Sequence, residues 1–176
     1  MTGAGNLVLI GMPGAGKSTV GALLARRLNM PFIDIDELMI SRRGRPLQEI
    51  IDTEGLQAFS RLEEETILEL DAAASVIATG GSAVYSAAAM TALRKGGTII
   101  FLDLSLQELE MRITDMQTRG MVIEPETTFA ELYRQRRPLY RRHADLVIVP
   151  GGRRPAELAA DLEDLLRRRG LLPPAP

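Results

Sequence analysis

The sequence predicts an α/β domain built on a parallel sheet with helices over both faces. Three observations carry that reading. Strand-like and helix-like segments alternate at least four times along the 176 residues, the pattern left by repeated strand–helix–strand crossovers. The run 98–102, TIIFL, is continuously apolar, as strands buried on both faces are. A short apolar run at 7–10 feeds a glycine-rich turn that opens into a helix-forming stretch, which is the context in which a phosphate-binding loop works.

In that turn Gly11, Gly16, Lys17 and Ser18 fill the fixed positions of G-x-x-x-x-G-K-[ST]. The glycines let successive backbone N–H groups converge on phosphate, the lysine reaches the β- and γ-phosphates, and the serine hydroxyl takes a place on Mg²⁺. The helix that follows, 20–28, carries small Gly21 and Ala22 early and Arg26 and Arg27 at its end, where cations suit the helix dipole. Pro31 opens PFIDID, in which Phe32 and Ile33 lead into Asp34 and Asp36. Two readings stay open there: a strand whose alternation puts both carboxylates on one side, or Asp36 as the N-cap of the next helix.

Residues 41–74 are helical and polar, with breaks at 44–46 and at Gly55, so two or three helices are expected between the second and third strands. Phe59, Leu62, Thr66 and Leu70 recur at helical spacing and predict a buried stripe. A short strand at 75–79 ends in Gly80, Gly81 and Ser82, where backbone can approach a ligand closely. A helix at 87–94, the strand 98–102 and a helix at 104–114, capped by Asp103 or Ser105, come next. Residues 116–127 contain Gly120 and Pro125 and little periodicity, and read as a loop of the length used for lids and binding loops. A helix at 128–142 interrupted by Pro138, a last strand at 145–149 and a helix at 155–169 with Pro155 in its first turn complete the chain, before a loose proline-rich tail.

Composition narrows the function. With 45% hydrophobic and 25% charged residues the chain has the balance of one ordinary globular domain. There is no cysteine, which excludes disulfides, thiolate metal sites and a cysteine nucleophile. The start, MTGAGN, has neither a basic region nor an apolar core, and no run approaches a membrane span, so a cytoplasmic protein with no membrane partner is expected. The arginines at 134, 136, 137, 141 and 142 cluster, but net charge is −2, aromatics are 4% and tryptophan is absent. Both the basic field and the stacking platforms of a nucleic-acid surface are missing. His143 is the single histidine, has no metal-ligand spacing and is read as a surface or capping residue, and Arg167, Arg168 and Arg169 are read as solvated charge at a helix end.

Several stretches together resemble the shikimate kinases over nearly the whole chain. They are GMPGAGKST; the D-x-D of Asp34 and Asp36; the region from Phe59 to Glu63 against F-R-x-x-E; ATGGSAV against a glycine triplet; Arg112 and Arg119; RRPLY at 136–140; and GGRRP at 151–155, like an adenine loop. The resemblance implies a P-loop fold of three α/β/α layers with a five-stranded parallel sheet in order 2-3-1-4-5. It also implies a substrate-binding insertion at about 37–73 and a lid at about 115–125. The implied reaction moves the γ-phosphate of MgATP to the 3-hydroxyl of shikimate, in a monomeric enzyme of aromatic amino-acid biosynthesis.

Carried over residue by residue, Gly14, Ala15, Gly16, Lys17, Ser18 and Thr19 hold the nucleotide phosphates, with Arg112, Arg119 and Arg154 on the nucleotide side. Ser18 and Asp34 serve Mg²⁺, and Lys17, Asp34 and Arg119 are the catalytic set. Asp36, Arg136, Gly80, Gly81 and the positions of Ser60, Arg61 and Ser82 form the acceptor side. Either Asp34 or Asp36 takes the hydroxyl proton. This chain departs from the pattern at Ser60, where the family has an arginine for the substrate carboxylate, and at Ser82, where it has a third glycine; the lid reads RGMV for R-P-L-L. Arg61 is one helical residue away, rotated by about 100°, and is not an automatic replacement. A kinase for a different small hydroxy acid, or a nucleotide-binding protein without shikimate turnover, are the alternatives.

Overall fold

The computed structural model describes residues 5–113 and 126–172. Five strands, β1 (Asn6–Ile10), β2 (Phe32–Asp34), β3 (Val76–Ala78), β4 (Gly97–Leu102) and β5 (Leu146–Ile148), form one parallel sheet in the order β2-β3-β1-β4-β5. β1 lies at its centre, and Leu7 to Ile10 are essentially inaccessible to solvent. Val8 stands opposite Ile77 on one side and Ile99 on the other, so three apolar strands bury one another. The side chain of Asn6 fixes the lower end: its Nδ2 donates to Ala72 O at 2.8 Å and its Oδ1 accepts from Ser75 N at 3.0 Å, which sets where β3 enters.

The helices are α1 (Lys17–Leu28), α2 (Ile35–Arg43), α3 (Leu47–Leu68), α4 (Ala87–Gly96), α5 (Leu106–Ile113), α6 (Phe129–His143) and α7 (Pro155–Arg168). The connection from β1 to β2 and that from β3 to β4 run in opposite directions across the sheet; right-handed crossovers therefore put α1 and α4 on opposite faces. α7 packs beside α1, and both Arg27 of α1 and Arg167 of α7 pair with Glu163. Arg167 is thus tied down rather than solvated, unlike the exposed Arg168 and Arg169.

Between β2 and β3 the chain makes α2 and α3, and α3 bends at Gly55, whose φ of 83° only glycine adopts without strain. The predicted stripe faces inward: Phe59, Leu62 and Thr66 are buried and Leu70 half-buried. Two local expectations change, at β2 and at Pro138, and one open choice, the cap of α5, is settled for Ser105. β2 stops at Asp34, and it is Asp34, not Asp36, that caps α2 by accepting from Asp36 N at 3.0 Å. Ser105 exchanges hydrogen bonds with Glu108 at the start of α5, while Asp103 is buried and accepts from Arg137 and Arg141. α6 is capped by a Thr128–Glu131 box and runs unbroken through Pro138. An interior proline costs about 3 kcal/mol, and the burial of Leu132, Arg136 and Tyr140 on the same helix, with the clamp on Asp103, offsets it.

α1 lies unusually close to the sheet at Gly21, where a Cβ would fall 2.7 Å from Phe32 Cε2 and 3.1 Å from Leu9 Cδ1. Gly21→Ala is expected to destabilise the fold by about 1–3 kcal/mol in urea titration. Phe32→Leu in the same chain should return part of that loss; an equal loss with either residue at 32 would show that the contact is not the cause.

Candidate active site

The loop after β1 and the N-terminus of α1 form a cradle. Gly16 sits at φ 89° as the residue before α1, a left-handed conformation that brings the first helical N–H groups round toward the loop. Lys17 is buried, and its Nζ donates to Gly11 O at 2.9 Å and Met12 O at 3.0 Å. Burial pulls its pKa down to about 8, against the attraction of Asp36 and Asp34. Ser18 and Thr19 are exposed at the mouth. Ser18 Oγ donates to Asp34 Oδ2 at 2.5 Å, so the end of β2 and the start of α1 present a hydroxyl and a carboxylate side by side. Arg112, on α5, reaches over the loop with Nη1 at 3.5 Å from Gly14 O.

Asp36, in the first turn of α2, faces the same space; burial raises its pKa first and the neighbouring Asp34 second. The end of β3 supplies the floor. A Cβ on Gly80 would collide with Glu63 Oε1 and lie 3.0 Å from Asp36 Oδ1, and one on Gly81 would lie 3.0 Å from Arg136 Nη1 and from Pro13 Cδ. These glycines are required by space, since side chains from three elements converge on that backbone. Arg136 is 1% exposed. Its Nε donates to Tyr85 Oη at 3.3 Å, and its guanidinium lies over the Tyr85 ring at 5.2 Å. Tyr140, one turn on, donates to Gly81 O at 2.7 Å.

Ser60 and Arg61 are exposed on α3 and line, with Leu56, Gln57, Tyr85, Leu132, Gln135 and Arg136, a cavity of about 560 Å³. Ser82 points elsewhere: its Oγ donates to Glu63 Oε2 at 2.5 Å. Arg154 stands apart, its side chain 81% exposed and held by Glu157 at the start of α7. Arg119 and the expected lid at about 115–125 lie outside the described residues. Glu63 and Tyr85 carried no assigned role in the sequence. The glutamate closes the F-R-x-x-E pattern and so had a signal, whereas nothing marks Tyr85 before the fold is known.

Among the described residues no three acidic, histidine or cysteine side chains converge as a metal cluster. The pair Ser18 and Asp34 offers two hard oxygen donors at one point, which fits Mg²⁺, an ion that keeps water and phosphate oxygens for its remaining ligands.

A phosphate cradle beside a hydroxyl–carboxylate pair, on this sheet order, defines a P-loop nucleotide-binding protein. The family described as Shikimate kinase matches residues 13–167. A shikimate kinase of Paracidovorax citrulli is 44% identical over 96% of this chain and 95% of its own length, and one of Nitrosospira multiformis is 41% identical over 92% and 85%. Among solved structures, the Acinetobacter baumannii shikimate kinase in complex with shikimate superposes with a TM-score of 0.87 at 30% identity, covering 94% of each chain. That from Aquifex aeolicus gives 0.80 at 32% identity, covering 94% of this chain and 98% of its own. The chain belongs to the shikimate kinase family.

Glu63 is held in this site with its pKa raised to about 7, burial being the main cause and Asp36 adding to it, against the Ser82 hydrogen bond, Arg136 and Lys17. A carboxyl whose folded pKa is raised favours folding fully below its ordinary value, near 4.5, and loses that contribution as pH rises to about 7. Glu63→Gln is therefore expected to lie close to the parent in stability at pH 4.5 and to exceed it by roughly 3 kcal/mol at pH 8. Urea unfolding at the two pH values reads this directly; parallel pH profiles for the two proteins would show that Glu63 does not titrate in the folded state.

Proposed function

We propose that the chain transfers the γ-phosphoryl group of MgATP to the 3-hydroxyl of shikimate. The observation that carries this reading is the convergence of Lys17, Asp34, Asp36 and Arg136 on one space above the phosphate loop. The shikimate bound by the Acinetobacter relative supports the choice of acceptor.

Lys17 has two carbonyl partners within its own loop, and on nucleotide binding it exchanges them for phosphate oxygens. Its low pKa means that phosphate charge holds the ammonium in its ionised form, which strengthens the pair. When bound, Mg²⁺ offsets charge on the phosphates, and Ser18 and Asp34 hold it. Asp34 has both oxygens engaged, Oδ2 by Ser18 and Oδ1 by Asp36 N. That leaves Asp36 as the proton acceptor, and its raised pKa makes it the better base. The acceptor hydroxyl gives its proton to Asp36, its oxygen bonds to the γ-phosphorus, and the bond to the β–γ bridging oxygen breaks to release ADP. Positioning and charge stabilisation supply most of the rate in such transfers. Arg136 receives the acceptor carboxylate, and the insertion at 37–73 forms the acceptor wall. The chain works as a cytoplasmic monomer without nucleic acid; among the described residues no helix is long and apolar enough to cross a membrane.

A coupled ADP-release assay with MgATP tests the reading. Shikimate should drive ADP release well above the rate in water alone, and Lys17→Ala should lower kcat/KM by more than tenfold, a barrier change above about 1.4 kcal/mol, with the fold intact by circular dichroism. ADP release that is unaffected by shikimate but driven by another hydroxy acid would replace the acceptor. Release driven by neither would leave a nucleotide-binding protein.

A further inference from the structure

The two acceptor-side departures, Ser60 and Ser82, meet at one carboxyl. In F-R-x-x-E the arginine precedes the glutamate by three residues on a helix, the spacing that sets a cation beside a carboxylate. Here residue 60 is serine and Glu63 is 2% exposed, and a buried carboxyl needs a partner. The chain supplies one from a different element. Ser82, itself 6% exposed, donates to Oε2. A glycine at 82 would have no hydroxyl to give. The backbone does not call for glycine, since Ser82 lies at φ −89°, ψ −10°. A cavity of about 180 Å³ separates the two serines, with Ser60, Glu63, Ser82 and Tyr85 on its walls, which is the space a longer side chain from 60 would enter.

We propose that Ser82 is a positioning residue for the acceptor, holding Glu63 in place of the cation that residue 60 does not supply, so that the serines at 60 and 82 form one coupled exchange. The proposal rests on reading the space above Gly80 as the acceptor's. Gripped through Oε2, Glu63 keeps Oε1 turned toward Gly80 and Asp36 Oδ1, where it has no hydrogen-bond partner among the described residues. That oxygen is closed off from solvent and packs against Gly80, so the grip on Oε2 sets the backbone after β3 on which the acceptor lies. A serine hydroxyl, unlike a guanidinium, does not force the carboxyl to stay ionised. Glu63 therefore titrates near neutrality, facing Asp36 from α2, Lys17 from α1 and Arg136 from α6. An arginine at 60 would move that titration down, out of the neutral range.

The test is a double-mutant cycle of Ser60→Arg and Ser82→Ala with two readouts. In the full chain without substrate, the Glu63 carboxyl is followed by carbon-13 NMR and identified by its disappearance in Glu63→Gln. Ser82→Ala should raise its midpoint, because a donor to the ionised form is lost. Ser60→Arg should lower it, and with Arg at 60 the Ser82→Ala shift should all but vanish. In the kinase assay at pH 8, Ser82→Ala should raise KM for shikimate roughly tenfold with kcat changed less, Ser60→Arg should lower KM, and Ser82→Ala in that background should cost less than about twofold.

An unmoved Glu63 midpoint in Ser82→Ala overturns the proposal, as does an equal KM cost in both backgrounds while shikimate is still phosphorylated. Midpoints that follow the cycle, in variants none of which phosphorylates shikimate, uphold the Ser82–Glu63 coupling and remove shikimate as the acceptor.

Discussion

Charge balance inside one small buried volume governs this molecule. An ammonium on Lys17 has to stand within reach of phosphate, yet it is almost closed off from water, and burial alone would strip its proton. Asp36 and Asp34 work against that loss, and burial, with Asp34 beside it, in turn raises the pKa of Asp36. Glu63 adds a third acid and Arg136 a second cation. No member can be neutralised without changing the others, so each position is constrained by charge as well as by shape. The crowding also explains why Gly80 and Gly81 need to be glycine: the acids and the arginine take up the volume a side chain would use.

The sheet order is what brings these groups together. With β3 between β2 and β1, the ends of three adjacent strands deliver Asp34, Gly80 and the phosphate loop to one edge, the edge at which open parallel sheets bind their ligands. The arginine comes from α6, in the connection between β4 and β5. Arg136 faces Tyr85 and Gly81 while its neighbour Arg137 and, one turn on, Arg141 grip Asp103 at the end of β4. Asp103 is 3% exposed, and its carboxyl lies below the ordinary carboxylate range because the hydrogen bonds and charge of the two arginines outweigh its burial. The helix that presents Arg136 is thereby locked in rotation to the strand it covers.

Much of this was legible before the fold. Continuous apolar runs marked β1 and β4, the glycine–lysine loop marked the cradle, and the breaks at 44–46 and Gly55 marked the ends and the bend of the inserted helices. The misreadings have local causes. Alternation along PFIDID assumed a strand two residues longer than β2, and capping by Asp34 ends it early. Pro138 was weighed on propensity alone, which tertiary burial on α6 overrides. Glu63 begins the run Glu63-Glu64-Glu65, in which the F-R-x-x-E pattern singles out the first without saying which way it points. Only the fold shows that the first of the three points inward while Glu65 is exposed. The cluster of arginines on α6 was likewise one composition with several fates: Arg136 buried, Arg137 and Arg141 clamped, Arg134 and Arg142 in solvent.

Tyr85 has a further consequence of an optical kind. The chain has no tryptophan and three tyrosines, and all three sit along α6 or its contacts: Tyr140 on Gly81, Tyr133 on Leu104 and beside Arg137, Tyr85 under Arg136. Tyr85 is 52% exposed, so of the three it is the one whose surroundings a small molecule at Arg136 would alter most. Tyrosine emission of the unlabelled protein therefore reports in part on the surroundings of Arg136, and the native chain carries its own spectroscopic probe of what binds there.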